Sequence, residues 1–426
     1  MFFLGKKIRR PKKKLASTSS VKGNRKSNVS HIRKKRVHDR KNTRGTVNFE
    51  KKQRQDTAVY ERKNADFFIF ITVLLLLFIG TIMVVSSTAA YAGDRWGDSF
   101  YFIKRQIVYM SIGIVAMVIM MNVDYRKLGK ISPALLAISI FLLLIVLIPG
   151  IGIELNEARR WIGFGGLTIQ PTELTKLAMI IFVSHSIYKR RNKMKNFFAG
   201  LMPYLLLLGF VAGLVMQQPH FSATVVIGSV TMIILFAGGT KISHFAILGF
   251  PIVALGSYMV FTSEYRMRRL TSFLDPWSDA RDSGYQIIQS LLAIGSGGLF
   301  GRGVGRSIQK NLYIPEPYND FIFSILAEEF GFVGVLFVVL LFAFLIWRGF
   351  KVAVTAPDMF GSLLALGITS LIAVQVIINI SVVTSSMPVT GMPLPFFSYG
   401  GTSLVFLLSG VGILLNVSRY AKYDKI

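Results

Sequence analysis

From Asp66 to the C-terminus the chain is a succession of apolar runs separated by short polar stretches. The runs are about 17–25 residues long, enough for a helix to cross a ~30 Å hydrocarbon core. Inside such a core only a helix satisfies every backbone N–H and C=O within one segment. The pattern predicts an all-α, polytopic membrane protein of about ten transmembrane helices, near residues 67–88, 105–121, 131–149, 171–188, 198–216, 220–237, 243–262, 320–347, 359–383 and 398–418.

Composition strengthens this reading. The chain is 52% hydrophobic and 16% charged, with mean hydropathy +0.52, outside the usual range of soluble domains. The net charge of +28 is unevenly placed, since 22 of the 49 Lys and Arg lie before residue 65. Residues 1–65 are poor in apolar side chains and are expected to form a disordered basic cytoplasmic tail, with 66–426 as the membrane domain. No aromatic or zinc pattern accompanies those charges, so a topology signal that touches anionic lipid is expected, and no nucleic acid partner. With the tail inside, the cytoplasmic loops carry Arg126, Lys127 and Lys130, then Lys189-Arg190-Arg191, Lys193 and Lys195, then Lys241, then Arg348 and Lys351. Opposite loops mix signs, as in Glu154, Glu157, Arg159 and Arg160. An even number of spans then puts both termini in the cytosol. Absence of cysteine excludes disulfide and thiolate chemistry. Met1-Phe2-Phe3-Leu4 is too short for the apolar region of a cleavable signal peptide.

One segment departs from a plain helical bundle. Residues 262–319 form a large extracytoplasmic loop between the seventh and eighth spans, too long to be a mere connection. It contains Phe273, Trp277, Tyr285, Ile287, Ile288, Leu291, Leu292, Leu299, Phe300 and Tyr313. Residues 284–294 read as an amphipathic helix lying in the interface, with Ile287, Ile288, Leu291 and Leu292 on one face. The glycines around Arg302 then predict a flexible, cation-bearing turn. The whole is expected to be an ordered cap over an outward-facing cavity.

Ionisable groups within or at the rim of spans are costly and therefore candidates for function. Glu173 and Lys176 share one helical face at i, i+3 spacing, either as a pair that orients the helix or as charges facing a substrate cavity. Arg159 and Arg160, beside Trp161, either anchor the interface or bind a phosphate head group through the guanidinium fork. Asp320 follows Pro315-Glu316-Pro317-Tyr318-Asn319 where the loop re-enters the membrane. It fits both an N-capping role and a general base that is partly desolvated. Glu328 and Glu329, two turns deeper, are poor caps and are placed to pair with basic groups of the bundle. His185 and His220 are isolated, and no metal-ligand cluster, phosphate loop or Ser/His/Asp set is visible. Residues 387–401 concentrate three prolines and three glycines in apolar surroundings. That composition predicts non-helical, re-entrant backbone, tolerated at membrane depth only where protein buries it or it lines a cavity. A simple packing turn between spans nine and ten is the alternative.

The run Pro388-Val389-Thr390-Gly391-Met392-Pro393-Leu394-Pro395-Phe396-Phe397-Ser398-Tyr399-Gly400-Gly401-Thr402-Ser403 resembles the signature of the SEDS proteins FtsW, RodA and SpoVE. Residues 158–162, Gln170-Pro171-Thr172-Glu173, Phe273-Leu274-Asp275-Pro276-Trp277, Gly284-Tyr285-Gln286 and Asp320-Phe321-Ile322-Phe323 support it in order. The likeness runs from about residue 66 to the C-terminus and is nearer to FtsW and SpoVE than to RodA.

What the resemblance implies is a peptidoglycan glycosyltransferase of the bacterial cytoplasmic membrane. It would polymerise lipid II on the outer face for septal or sporulation wall synthesis, beside a class B penicillin-binding protein and other division or elongation membrane proteins. The family's essential aspartate maps to Asp320. Tyr318 and Asn319 stand where many members have His and Thr, and His220 where many have Asp, so no acidic role carries over there. In this reaction a sugar 4-hydroxyl attacks an anomeric carbon and undecaprenyl pyrophosphate leaves. A good leaving group needs no acid, so one carboxylate base suffices, unlike the pair used by most glycosidases. Expected substrate-binding residues are Arg159, Arg160, Glu173, Lys176, Arg302 and Ser398, with a divalent cation, Mg or Mn, as a further source of positive charge. A lipid II flippase or transporter and a non-catalytic scaffold for a penicillin-binding protein are the competing readings. The first is disfavoured by the lack of an inverted repeat or of matched broken helices in the two halves.

Overall fold

The computed structural model describes residues 62–155, 158–164, 167–262, 264–281, 284–311 and 313–422. The basic segment up to Glu61 and the C-terminal residues from Tyr423 lie outside the described residues. Twelve α-helices are described: α1 (Phe67–Trp96), α2 (Tyr101–Asn122), α3 (Tyr125–Ile145), α4 (Pro171–Lys189), α5 (Met202–Met216), α6 (Phe221–Ala237), α7 (Ile242–Phe261), α8 (Glu264–Leu274), α9 (Tyr285–Gly297), α10 (Ile322–Thr355), α11 (Met359–Val383) and α12 (Thr402–Ser418). Each of the ten predicted spans coincides with one of these helices; α8 and α9 belong to the long loop. Six helical segments are long and apolar enough to cross a membrane, namely α1, α2, α3, α5 with its preceding turn, α10 and α11, and α6 and α12 are shorter apolar helices.

Local chemistry sets the helix ends. Asp66 caps α1, its carboxylate accepting from the N–H groups of Phe68 and Ile69 at 3.0 and 3.2 Å. Pro171 opens α4, where its missing N–H costs nothing. The centre of the bundle is α11, whose most apolar window is 72% buried, against 22% for the longer α10. Close helix approach uses small residues. Gly412 of α12 faces the backbone of Met117 in α2, where an added Cβ would lie 2.4 Å from the Met117 carbonyl oxygen.

At the tail end of the bundle, Asp66 pairs with Arg348 at 2.5 Å. There Tyr125 donates to Asp358, and Asn416 joins the Tyr125 N–H to the Met121 carbonyl. Arg62 and Lys63 reach Asn122 and Arg419, so the chain is tied to this end before α1 begins.

Three features differ from the sequence expectations. A small antiparallel sheet, β1 (Gly152–Leu155), β2 (Ala158–Phe164) and β3 (Leu167–Ile169), fills the connection between α3 and α4. The apolar face assigned to the loop helix is divided: Ile287 and Ile288 are buried, whereas Leu291 and Leu292 are exposed. Ser290, Ala293 and Gly297 complete the packed face instead, because small side chains allow α9 to press against α10. A Cβ on Gly297 would sit 2.1 Å from the Ala327 carbonyl oxygen.

The turn around Arg302, expected to be flexible, is clamped. α10 is interrupted at Gly331, whose φ of +66° suits glycine. The loop backbone enters the break: Arg302 and Gly303 N–H groups donate to the Glu328 and Glu329 carbonyls, while Phe332 and Val333 donate to Gly298 and Leu299.

Candidate active site

The short buried helix Ile322–Phe330 ahead of Gly331 holds the loop at two places. At its far end, Glu328 accepts from Ser307 Oγ at 2.5 Å and from the Ile308 N–H at 2.9 Å. Glu329 accepts from Lys310 Nζ at 2.9 Å and from Ser86 Oγ of α1 at 2.6 Å. The basic partner of Glu329 thus comes from the loop and not, as expected, from the bundle, and these contacts fasten the loop to α1 and α10.

At the near end stands Asp320. Helix α10 begins at Ile322, its N-cap is Phe321, and no side chain caps it. The capping explanation for Asp320 therefore fails. Its carboxylate is partly buried and has no hydrogen bond or ion pair among the described residues. Burial is the first cause that raises its pKa, to about 6, with the Glu316 charge adding to it and Arg269 and Arg160 opposing it.

The backbone on either side of this carboxylate is held from several elements. Asn379 of α11, buried, donates from Nδ2 to the Asp320 carbonyl at 2.8 Å and to the Met392 carbonyl at 2.7 Å. Ser398 Oγ donates to the Asn319 carbonyl at 2.6 Å and accepts from the Leu394 N–H at 2.8 Å. The Tyr399 N–H donates to the Tyr318 carbonyl at 3.0 Å. The predicted non-helical segment, 387–401, lies within the non-helical stretch 384–401 and is folded against the residues leading to Asp320.

The apex of that segment faces the carboxylate. Gly391 has φ +70°, and a Cβ there would lie 3.2 Å from Asp320 Oδ2. Its neighbours are fixed through their carbonyls: Val389 by Arg269 at 2.8 Å, Thr390 by Ser222 of α6, and Met392 by Asn379. Gly80 of α1 leaves room for the segment from below, since a Cβ on it would meet the Phe396 carbonyl oxygen at 2.3 Å. Replacing Gly80 by Leu is expected to displace the segment and lower activity, checked by assaying a variant that still purifies as a monodisperse protein.

The other predicted residues divide between this site and elsewhere. Arg160, on β2, donates from Nε and Nη2 to the Gln218 and Pro219 carbonyls at 3.1 and 2.6 Å and faces Asp320 electrostatically. Lys176 and Glu173 pair at 2.8 Å, both side chains at most 9% exposed. Arg159 pairs with Glu154 at 2.9 Å on the exposed side of the sheet. Arg302 lies 3.8 Å from Glu328, about two helical turns from Asp320. Ser398 is buried and acts through the backbone it holds. Tyr318, the departure from the family pattern, packs in an aromatic cluster with Phe102, Tyr91 and Tyr399, with ring centroids 4.6, 5.6 and 6.1 Å away. The ring has a place of its own and leaves Asp320 free of it.

Among the described residues, no three His, Asp or Glu side chains gather as a metal site. A magnesium ion held by one carboxylate together with substrate phosphates would need no such cluster.

The Glu173–Lys176 pair gives a stability prediction. Glu173→Gln leaves the Lys176 ammonium buried without its partner, which should cost about 3–5 kcal/mol. Thermal melting in detergent should fall sharply, and the Glu173→Gln/Lys176→Met double variant should recover most of the loss.

Asn379 and Arg269 were not singled out by sequence reasoning. Asn379 had a readable signal, a carboxamide within an otherwise apolar span. Arg269 lay in an arginine cluster of the loop with nothing to tell it from its neighbours.

Residues 66–423 match the FtsW/RodA/SpoVE family, described as cell cycle proteins, and the chain belongs to that family. Its sequence is 47% identical over 365 residues to stage V sporulation protein E of Bacillus subtilis (strain 168), covering 85% of this chain and 99% of that one. It is 44% identical over 355 residues to a probable peptidoglycan glycosyltransferase FtsW of Geobacter sp. (strain M18), covering 83% and 96%. The fold is similar to that in a structure of a peptidoglycan synthase complex, with TM-score 0.70 and 28% identity over 83% of this chain and 98% of that one. It is also similar to the rod shape determining protein RodA of Thermus thermophilus, with TM-score 0.62, 28% identity and coverage of 83% and 97%.

Proposed function

We infer that this protein is a peptidoglycan glycosyltransferase that polymerises lipid II. The observation that carries the reading is the Asp320 carboxylate, set against Gly391 of the family signature with two guanidiniums near it. A carboxylate without a hydrogen bond among the described residues and with a pKa near 6 is a stronger base than an ordinary aspartate yet still ionised near neutrality. It accepts the proton of the attacking sugar 4-hydroxyl. The oxygen bonds to the anomeric carbon of the growing chain, and the bond from that carbon to pyrophosphate breaks, the electron pair leaving with the phosphate. Arg160 supplies positive charge for the leaving group, and a Mg or Mn ion, when bound, would supply more of it. Arg302 and Arg159, more distant, fit contacts with the rest of the lipid-linked substrate or glycan.

Orientation follows from charge. Arg62, Lys63, Arg126, Arg348 and Arg419 gather at the tail end, which supports a cytoplasmic tail end and an active site at the outer face. Related chains include a sporulation protein and probable FtsW enzymes, which favours septal or spore wall synthesis. A fold similar to that in a synthase complex that coordinates polymerization and crosslinking supports a crosslinking partner, for which a class B penicillin-binding protein is the expected kind.

Purified protein given labelled lipid II should yield glycan strands; recovery of unpolymerised lipid alone would contradict the reading. The pH dependence adds a second check. A base must be deprotonated, so kcat/KM should rise with pH through about 6 and then level off. Glu316→Gln removes a charge that raises the Asp320 pKa, so the rise should move to lower pH.

A further inference from the structure

We propose that Arg269 of α8 is a further substrate-positioning residue, contributing with Arg160 the positive charge that receives the departing pyrophosphate; this rests on the glycosyltransferase reading above. Helix α8 presents two consecutive arginines in different ways. Arg268 is exposed and pairs with Glu264 at 2.8 Å on the helix surface. Arg269 is partly buried and turns inward, its Nη1 donating to the Val389 carbonyl at 2.8 Å. Val389 is two residues from Gly391, which abuts Asp320 Oδ2.

That places a loop guanidinium beside the signature segment and within electrostatic reach of the base. Arg160 of β2, held in the same manner on the Gln218 and Pro219 carbonyls, acts electrostatically on the same carboxylate. Among the described residues, the charged groups that act on Asp320 are Glu316, Arg269 and Arg160. Glu316 is exposed and accepts from Asn319 Nδ2 at 2.8 Å.

The reaction itself changes this balance. Before transfer, the Asp320 charge offsets the guanidiniums. When Asp320 takes the proton of the sugar hydroxyl, it becomes neutral, and the guanidiniums lose that compensation in the same step in which the anomeric C–O bond breaks. Pyrophosphate then leaves with the electron pair into a site that has just become more positive. Guanidinium forks match phosphate oxygens in geometry as well as in charge.

The test uses the full-length purified protein and its Arg269→Ala, Arg269→Lys and Arg268→Ala variants. Polymerisation kinetics, the pH–rate profile and the thermal melting shift caused by inorganic pyrophosphate are measured for each. Arg269→Ala should lower kcat by on the order of 10²-fold and lose the pyrophosphate-induced shift. Its rate should also rise with pH at higher values than the wild type, because a cation near the base is gone. Arg269→Lys should restore the pH dependence in part, and Arg268→Ala should match the wild type throughout. A folded Arg269→Ala protein with the wild-type pyrophosphate shift and pH profile would overturn the proposal, leaving Arg269 as a strap on Val389. The glycosyltransferase reading fails separately, if the wild type makes no glycan; the melting shift and its dependence on Arg269 are read without turnover.

Discussion

Asp320→Asn is expected to lower lipid II polymerisation by about 10²–10⁴-fold, the contribution typical of a positioned general base. The substitution is nearly isosteric. Because the carboxylate makes no hydrogen bond or ion pair among the described residues, the amide breaks no contact of the fold. The Asp320 backbone stays held by Asn379 at 2.8 Å. Melting temperature should therefore remain close to that of the wild type, or rise slightly, since a partly buried charge is removed. Loss of activity together with unfolding would point to a structural role instead.

Asn379→Leu is expected to be the most damaging change outside the reacting groups. Its amide holds the Asp320 carbonyl on one side and the Met392 carbonyl on the other. Leucine is close in size but offers no donor, so both carbonyls lose their partner in the bundle interior. An unsatisfied buried polar group costs about 1–3 kcal/mol, and two of them should lower stability by roughly 2–6 kcal/mol. The base and the signature segment would also lose their shared tether. The measurement is melting in detergent together with kcat: both should fall, and Asn379→Asp should fall less in stability if its carboxyl is protonated and can donate one bond.

These two residues show where the sequence is informative. The helices could be read directly, because hydrocarbon forces the apolar run and the helix to coincide. Asp320 was visible as a rim carboxylate, although two roles fitted it until the helix proved to start at Ile322. The proline- and glycine-rich segment announced non-helical backbone, and that is what Gly391 and Ser398 form. What could not be read was pairing across long sequence separations. Asn379 and Asp320 are 59 residues apart, Ser398 and Asn319 are 79 apart, and Arg269 and Val389 are 120 apart.

Local pattern also misled where small residues decide packing. The buried face of α9 is set by Ser290, Ala293 and Gly297, which an apolar periodicity passes over. The flexible turn expected around Arg302 is rigidly hydrogen-bonded because Gly331 breaks α10 and opens its backbone to the loop. Sheet β1–β3 is short and mixed in polarity, so its strands carry no clear alternation.

One carboxylate at the loop end of the bundle, Asp320, is proposed to perform the glycosyl transfer. The decisive experiment gives purified wild-type and Asp320→Asn proteins labelled lipid II in vesicles and follows both glycan length and undecaprenyl pyrophosphate release. The wild type should release about one pyrophosphate lipid for each disaccharide added, and the variant should do neither above background. Polymerisation by the variant at the wild-type rate, or lipid movement across the vesicle without pyrophosphate release by either protein, would contradict that role.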